Sequence, residues 1–152
     1  YTTLFRSIAG LLVAGAYGYA LEGQLHWRDP NQTDDKIQWQ PWSLEAVAQA
    51  RAAGRVVLVD FTADWCFTCK ANLKSSLEIP ATRAKLKALN AVALLADNTL
   101  ETPAIVSELK KFGRAGVPMV LVYPRDPKAE AILLPTLLTP TIVSEALNKA
   151  GK

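Results

Sequence analysis

The chain has 152 residues, of which half are hydrophobic and a fifth are charged, and its formal net charge is +3. This length fits one domain with an appendage, and a domain of that size can bury a core that is stable without disulfides. The lysines and arginines form no basic stripe interleaved with aromatic residues, which disfavours binding to nucleic acid. We therefore expect a globular protein with no nucleic-acid partner.

The first 21 residues are predicted to form an apolar helix. Residues 4–21 are apolar except for Arg6 and Ser7, and a complete membrane span needs roughly 20 such residues. We interpret this segment as a truncated transmembrane helix. A signal peptide with its cleavage site near residues 14–16 is the first alternative, and a buried soluble helix is the second. Under the transmembrane or the signal-peptide interpretation, the rest of the chain is exported or faces the far side of a membrane.

Residues 22–41 are polar and contain Pro30 and Pro41, a composition typical of a linker. We expect a short strand near residues 36–39, at the end of this linker. His26 is the single histidine of the chain, and we interpret it as an ordinary linker residue rather than a metal ligand. The folded domain is predicted to extend from residue 42 to residue 152.

Signals for the ends of helices recur through the folded domain. Ser43 is suited to cap a helix that stops at Gly54, because a serine hydroxyl binds free amides and glycine adopts left-handed conformations. Thr102 and Thr139 each precede a proline, a pattern typical of a helix start. The helix after Thr102 is expected to end at Gly113.

The strands are predicted from runs of apolar, often β-branched residues. The run RVVLVDF at residues 55–61 is continuous, which indicates a strand covered on both faces. We also expect strands at 91–97 and 117–123, a short antiparallel strand at 130–134, and helices at 66–77 and from Pro80. Alternating strands and helices, then a hairpin and a closing helix, predict an α/β fold with a mixed central sheet flanked by helices on both faces.

Cys66 and Cys69 follow the first buried strand and are the only cysteines of the chain. A disulfide between them would close a very short loop and stabilise the fold by only ~2 kcal/mol, against about 4.7 kcal/mol for a loop of about 100 residues. It would therefore contribute little as a structural crosslink. A zinc site needs two further ligands, and the chain offers only His26, in the distant linker. The sequence therefore disfavours a metal site and favours a redox-active pair.

The redox interpretation assigns a different role to each cysteine. A helix that begins near Cys66 places this sulfur at the helix N-terminus, where free amides and the helix dipole favour a thiolate. Cys66 is thus the predicted nucleophile. Cys69, one turn later, is expected to be more buried and to resolve the mixed disulfide formed at Cys66. Phe67 and Thr68 lie between the cysteines and are expected to tune the reduction potential.

Asp60 lies near the end of a strand that is otherwise suited to full burial. A buried carboxylate without a partner has a raised pKa, and such a group can take the proton from Cys69 in the resolving step. The alternative is an aspartate that turns outward or caps nearby backbone. Asp64 and Lys70 are expected to be exposed.

The stretch VDFTADWCFTCK resembles the active-site strand and helix of thioredoxins, including Asp60, Trp65 before the first cysteine and Lys70 after the second. Together with FGRAGVPMVLVYP and LPTLLTPTIVSEAL, it makes residues 42–150 similar to the C-terminal domain of DsbD- and ScsB-type thiol:disulfide interchange proteins. The apolar segment upstream resembles the last transmembrane helix of such proteins. The resemblance implies a thioredoxin-like fold.

The resemblance also implies a protein-disulfide reductase of the inner membrane, with this domain facing the periplasm. Such a domain receives reducing equivalents from a membrane-embedded dithiol and passes them to periplasmic thiol-disulfide proteins. It uses no cofactor beyond its own cysteine pair. The resemblance further implies that Val117 and Pro118 form a cis-proline loop, which joins Trp65, Phe67 and Thr68 in the groove for the partner.

Two other functions stay open at this point. One is a free-standing, membrane-tethered thioredoxin-like protein that another donor reduces. The other is a non-catalytic binding module that keeps the fold and uses its cysteines only structurally. Leu73 departs from the family pattern, since related domains often carry a glutamate shortly after the second cysteine as a further influence on the cysteine pKa.

Overall fold

The computed structural model of the protein describes residues 36–152. The apolar helix expected at residues 1–21, the linker before residue 36 and His26 lie outside the described residues. Within residues 36–152, no helix combines the length and the apolar character that crossing a membrane requires.

Five strands and five α-helices follow one another along residues 36–152, with one π-helical segment after the second helix. In chain order they are β1 Trp39–Pro41, α1 Leu44–Ala52, β2 Val57–Thr62, α2 Phe67–Asn72, the π-helix Leu73–Leu77, α3 Pro80–Ala88, β3 Val92–Asp97, α4 Pro103–Lys111, β4 Met119–Tyr123, β5 Ile132–Leu133 and α5 Pro140–Ala150. This order confirms the predicted alternation, with a hairpin and a helix at its end.

The helix ends follow the predicted signals. The hydroxyl of Ser43 accepts a hydrogen bond from the amide of Ala46 at 3.0 Å, and Thr139 accepts one from Ile142 at 3.3 Å. Prolines open α3, α4 and α5. Gly54, after α1, has φ of 67°, a conformation in which a side chain would be strained. The caps thus fix the ends of the helices locally.

The five strands form one mixed sheet in the order β1-β3-β2-β4-β5. β1, β3 and β2 are parallel, whereas β4 runs antiparallel to both β2 and β5. The strand expected near residues 36–39 lies instead at Trp39–Pro41, where Trp39 pairs with Ala93 of β3. The position of β1 differs from the prediction because hydrogen bonding to β3, rather than the local sequence, determines which residues form the strand.

The sheet separates two apolar cores because alternate residues of β2 point to opposite faces. Val57, Val59 and Phe61 pack on one side with residues of α1 and α4. Leu58 packs on the other side with the π-helix, α3 and α5. Both faces of β2 are therefore buried, as its continuous apolar run predicts. Asp60 alternates with Phe61 and belongs to the face that α3 and α5 cover.

The helix predicted over residues 66–77 is interrupted. α2 ends at Asn72, and the next five residues form the π-helix, in which the amide of Glu78 donates to the carbonyl of Leu73 at 2.7 Å. The wider turn begins where the side chain of Asn72 bonds to the backbone of residues 136 and 138. Contacts with a distant segment therefore accompany the change of helix type, and such contacts override local propensity.

Candidate active site at the cysteine pair

Cys66 lies at the N-terminus of α2, immediately after the turn that follows β2. It is the N-cap residue, and the helix itself begins at Phe67. The amide of Cys66 donates to the carbonyl of Ala63 at 3.0 Å, which closes the turn. The Sγ of Cys66 accepts a hydrogen bond from the amide of Cys69 at 3.2 Å. The first sulfur therefore lies among the free amides of the helix end.

A disulfide joins Cys66 and Cys69, whose Cα atoms are 5.3 Å apart. Cys66 is 6% exposed and Cys69 is 2% exposed. The order of burial agrees with the sequence analysis, but the difference is small. Access to either sulfur is therefore limited in this oxidised form.

Val117 and Pro118 lie against the cysteine pair. Val117 packs on a small cluster formed by Ala63, Cys66 and Cys69. The Val117–Pro118 peptide bond is cis, as the resemblance implied. β4 begins at the next residue. The N-terminal end of this interior strand therefore positions the loop beside the disulfide.

Asp60 is 3% exposed, within β2 and between β3 and β4. Burial removes water from the carboxylate and raises the pKa of Asp60 to about 7. The alternative in which this side chain turns outward is therefore wrong. A carboxyl group with a pKa near neutrality exists in both protonation states at physiological pH, as a proton carrier must.

Two aromatic side chains stand in solvent on either side of Cys66. Phe67 is 85% exposed and Trp65 is 59% exposed, whereas Thr68 is half-buried. Asp64 and Lys70 are exposed, as expected. Burial of large apolar side chains against a partner lowers the free energy of the complex. This surface is therefore suited to contact another protein.

Thr99 supports the turn before Cys66, a contact that the sequence analysis missed. Its hydroxyl accepts a hydrogen bond from the amide of Asp64 at 3.0 Å and also bonds to the carboxylate of Asp97. The amide of Thr99 donates to the same carboxylate at 2.9 Å. The hydroxyl first, and then the amide, hold the pKa of Asp97 below its usual value. The signal in the sequence is a D-x-T motif that begins at the last residue of a strand, which is typical of an Asx turn.

Asn72 is the second residue that the sequence analysis missed. It lies one turn after Cys69, is 4% exposed, and bonds to the segment before α5. The signal in the sequence is an asparagine within the predicted cysteine helix. If such a side chain is buried, its amide requires hydrogen-bond partners.

Comparison with protein families identifies the family to which this fold belongs. A family model described as thioredoxin-like matches residues 38–125, more than half of the chain. The chain belongs to the thioredoxin-like family. The matched residues include both cysteines and the Val117–Pro118 loop. The predicted thioredoxin-like α/β fold is thus confirmed for the described residues.

Curated relatives of this thioredoxin-like domain are thiol:disulfide interchange proteins. The chain is 31% identical over 103 residues to DsbD of Vibrio cholerae, a match that covers 62% of this chain and 17% of the relative. It is 35% identical over 91 residues to DsbD 1 of Pseudomonas aeruginosa, covering 57% of this chain and 15% of the relative. The chain therefore spans less than a fifth of the length of these relatives.

Solved structures give the same fold. A thioredoxin from Thermus thermophilus superposes with a TM-score of 0.61 at 23% identity, covering 75% of this chain and 86% of that one. The oxidised C-terminal domain of DsbD from Neisseria meningitidis gives 0.55 at 24% identity, covering 74% of this chain and 98% of that one. At this identity the comparison establishes the fold alone.

Proposed function

We propose that this domain is a thiol-disulfide oxidoreductase that relays reducing equivalents from a membrane-embedded dithiol to periplasmic disulfide proteins. The observation that carries the proposal is the Cys66–Cys69 disulfide at the N-terminus of α2 in a chain similar to DsbD proteins. The domain acts at the periplasmic face of the inner membrane. Its redox group is its own cysteine pair, without a further cofactor.

The first step is attack by Cys66 on a disulfide of the partner protein. In the reduced domain, the free amides at the start of α2 favour the Cys66 thiolate. Its sulfur forms a bond with one partner sulfur, and the disulfide bond of the partner breaks. The second partner sulfur leaves as a thiolate with the electron pair. The product is a mixed disulfide between Cys66 and the partner.

The second step is resolution by Cys69. Its sulfur bonds to the Sγ of Cys66, the bond between Cys66 and the partner breaks, and the partner leaves as a thiolate. Asp60 takes the proton from Cys69, which suits a carboxyl group whose pKa is about 7. Two electrons have then passed from the dithiol to the partner, and the domain has the disulfide that the structure contains.

The partner surface surrounds this chemistry. Trp65 and Phe67 offer exposed aromatic area beside Cys66, and Thr68 lies between the cysteines. Val117 packs on the cysteines, and Pro118 follows it at the start of β4. We assign these five residues to the groove that receives the partner chain, and a membrane-embedded dithiol docks there to reduce the disulfide again.

Trapping of mixed disulfides tests the proposal. Cys69→Ala leaves the attacking sulfur and removes the resolving one, so mixed disulfides with partner proteins should accumulate. Cys66→Ala should trap little, because Cys69 is the more buried sulfur and attack requires a thiolate with access. Non-reducing gels of membranes that contain the full protein measure both. Equal trapping by both variants would reverse the assigned roles, and trapping by neither would favour a non-catalytic module.

A further inference from the structure

Asn72 fastens the cysteine helix to a distant part of the chain. Its Nδ2 donates to the carbonyl of Thr136 at 2.8 Å, and its Oδ1 accepts from the amide of Leu138 at 3.0 Å. We name residues 134–138, between β5 and α5, the strap. Both ends of one buried amide are thus satisfied by the backbone of the strap. Loss of such a pair leaves buried polar groups without partners.

The strap is also held from the side of the Val117–Pro118 loop. The guanidinium of Arg114 donates to the carbonyl of Leu134 at 3.1 Å and to the hydroxyl of Thr136 at 2.9 Å. Arg114 precedes Val117 by three residues. The amide of Leu134 donates to the carbonyl of Val120 in β4 at 3.0 Å. The strap therefore connects the end of α2 with the strand that follows Pro118.

These contacts form a closed series of connections that begins and ends at the cysteine pair. Val117 packs on Cys66 and Cys69, β4 holds the strap, and the strap holds Asn72. Asn72 is the last residue of the helix whose N-cap is Cys66. The amide of Leu73, next to Asn72, donates to the carbonyl of Cys69. The position of Cys69 is thus linked to the strap through a single turn of backbone.

These connections have the largest effect on the position of α2 when no disulfide joins the two cysteines. α2 has six residues, and a helix this short is not stable on its own. The disulfide fixes the spacing of Cys66 and Cys69 only in the oxidised form. The two hydrogen bonds of Asn72 involve neither sulfur, so opening the disulfide does not in itself remove them.

We propose that Asn72 is a positioning residue that holds Cys69 within reach of Cys66 while the pair is open. The inference rests on the proposed thiol-disulfide chemistry, and it concerns the resolving step. In that step the Cys69 sulfur bonds to the Cys66 sulfur, the partner leaves as a thiolate with the electron pair, and Asp60 takes the proton of Cys69. Asn72 touches none of these atoms and acts only by fixing the end of α2.

A small aromatic disulfide whose thiolate absorbs visible light separates the two steps. Attack by Cys66 on this reagent releases one coloured thiolate, and closure by Cys69 releases the second. Two electrons leave the dithiol, and the reagent is reduced to two thiolates. Stopped-flow absorbance of the reduced protein therefore gives a rate constant for attack and another for resolution, without any protein partner.

Asn72→Leu removes both hydrogen bonds and keeps the branched shape and the number of heavy atoms of the side chain. We expect the attack rate constant to stay within about twofold of the parent value. The resolution rate constant should fall about tenfold or more, because the rate of a reaction decreases steeply when the reacting groups are displaced. Thr82→Val is the matched control. It removes a buried hydrogen bond of 2.7 Å to the carbonyl of Ser76 in the π-helix, and it should leave both rate constants unchanged.

Arg114→Met provides a second variant that removes the other polar anchor of the strap, and it should slow resolution about threefold or more, since it frees only one side of the strap. If Asn72→Leu does not fold, this variant decides the inference. Equal slowing of both steps, or parental resolution in the folded variants, would overturn the positioning role. Failure of the proposed relay is a separate result, namely the lack of trapped protein partners in a domain that still closes its own dithiol.

Discussion

Asp60 on β2 lies directly opposite Val120 on β4 in the antiparallel pairing of the two strands. Directly opposed residues present their side chains to the same face of a sheet. Val120 belongs to the apolar core that α3 and α5 cover, so the carboxyl group of Asp60 enters that core. Loss of water there raises the pKa of Asp60 to about 7. A group so placed affects both stability and proton transfer.

Replacing Asp60 with asparagine should stabilise the oxidised protein increasingly as pH rises. The pKa of Asp60 is raised from 3.8 to about 7 in the folded protein, so the unfolded chain loses its proton first. The free energy of unfolding of the parent therefore decreases between about pH 4 and pH 7, by up to about 4 kcal/mol. The asparagine variant lacks this decrease. Urea unfolding at pH 4, 5.5 and 8 measures the difference.

Asp64→Asn is the matched control for this experiment, because it removes the same charge at an exposed position close to the cysteines. A stability difference between the parent and Asp60→Asn that stays constant from pH 4 to pH 8 would contradict a buried carboxyl group with a raised pKa. Both variants are measured with the disulfide intact, so that thiol ionisation does not contribute.

The same Asp60→Asn substitution should slow the resolving step near neutral pH. The introduced amide has the volume of the carboxyl group but accepts no proton, so Cys69 loses its general base, and general bases commonly contribute about 10² or more to a rate. We expect the second phase of the aromatic-disulfide assay to be at least about tenfold slower between pH 6 and pH 8. A second phase that is indistinguishable from the parent across this range would remove Asp60 from the proton transfer.

Local chemistry explains which parts of the fold were predictable. The β2 run, the Ser43 and Thr139 caps and the glycine after α1 depend on neighbours within a few residues, so the sequence displays them. The same holds for Cys66, because a strand, a turn and a helix start are contiguous in the chain. The cis Val117–Pro118 bond could be expected only from the resemblance to thioredoxins.

Long-range partners explain what the sequence analysis missed. β1 is positioned by pairing with β3, and the end of α2 coincides with the hydrogen bonds of Asn72 to residues that lie 64 and 66 positions later. Thr99 is separated from Asp64 by 35 positions. No local pattern states which distant backbone group will lie beside a side chain, although a buried amide or an Asx motif indicates that such a partner exists.

Thr99→Val should raise the pKa of Asp97 towards its usual value without restoring it fully. The Thr99 hydroxyl makes the largest contribution to the lowered pKa, and the Thr99 amide, which the variant retains, makes the next. Carbon-detected NMR titration of the Asp97 carboxyl measures the shift. Because the folded pKa is the lowered one, the associated stability is present above the unfolded pKa and is lost as pH falls.

The amide of Asp64 should also exchange its hydrogen faster in Thr99→Val, because it loses the hydroxyl that accepts its hydrogen bond. Thr102→Val is the matched control, since Thr102 is an N-cap residue whose side chain makes no capping hydrogen bond. An Asp97 pKa equal to that of the parent in Thr99→Val would show that the hydroxyl does not support this turn electrostatically.

Phe67→Ala should impair exchange with protein disulfides and spare exchange with a small hydrophilic disulfide. Phe67 is 85% exposed, so its removal costs little packing within the domain. The few residues that dominate a protein interface each cost more than about 1 kcal/mol when truncated, and we expect Phe67 to be one of them. We expect kcat/KM for a protein disulfide to fall about tenfold. Leu44→Ala, at an exposed apolar position on α1, is the control and should change neither rate. Equal losses with both substrates would place Phe67 in the control of thiol reactivity instead of partner contact.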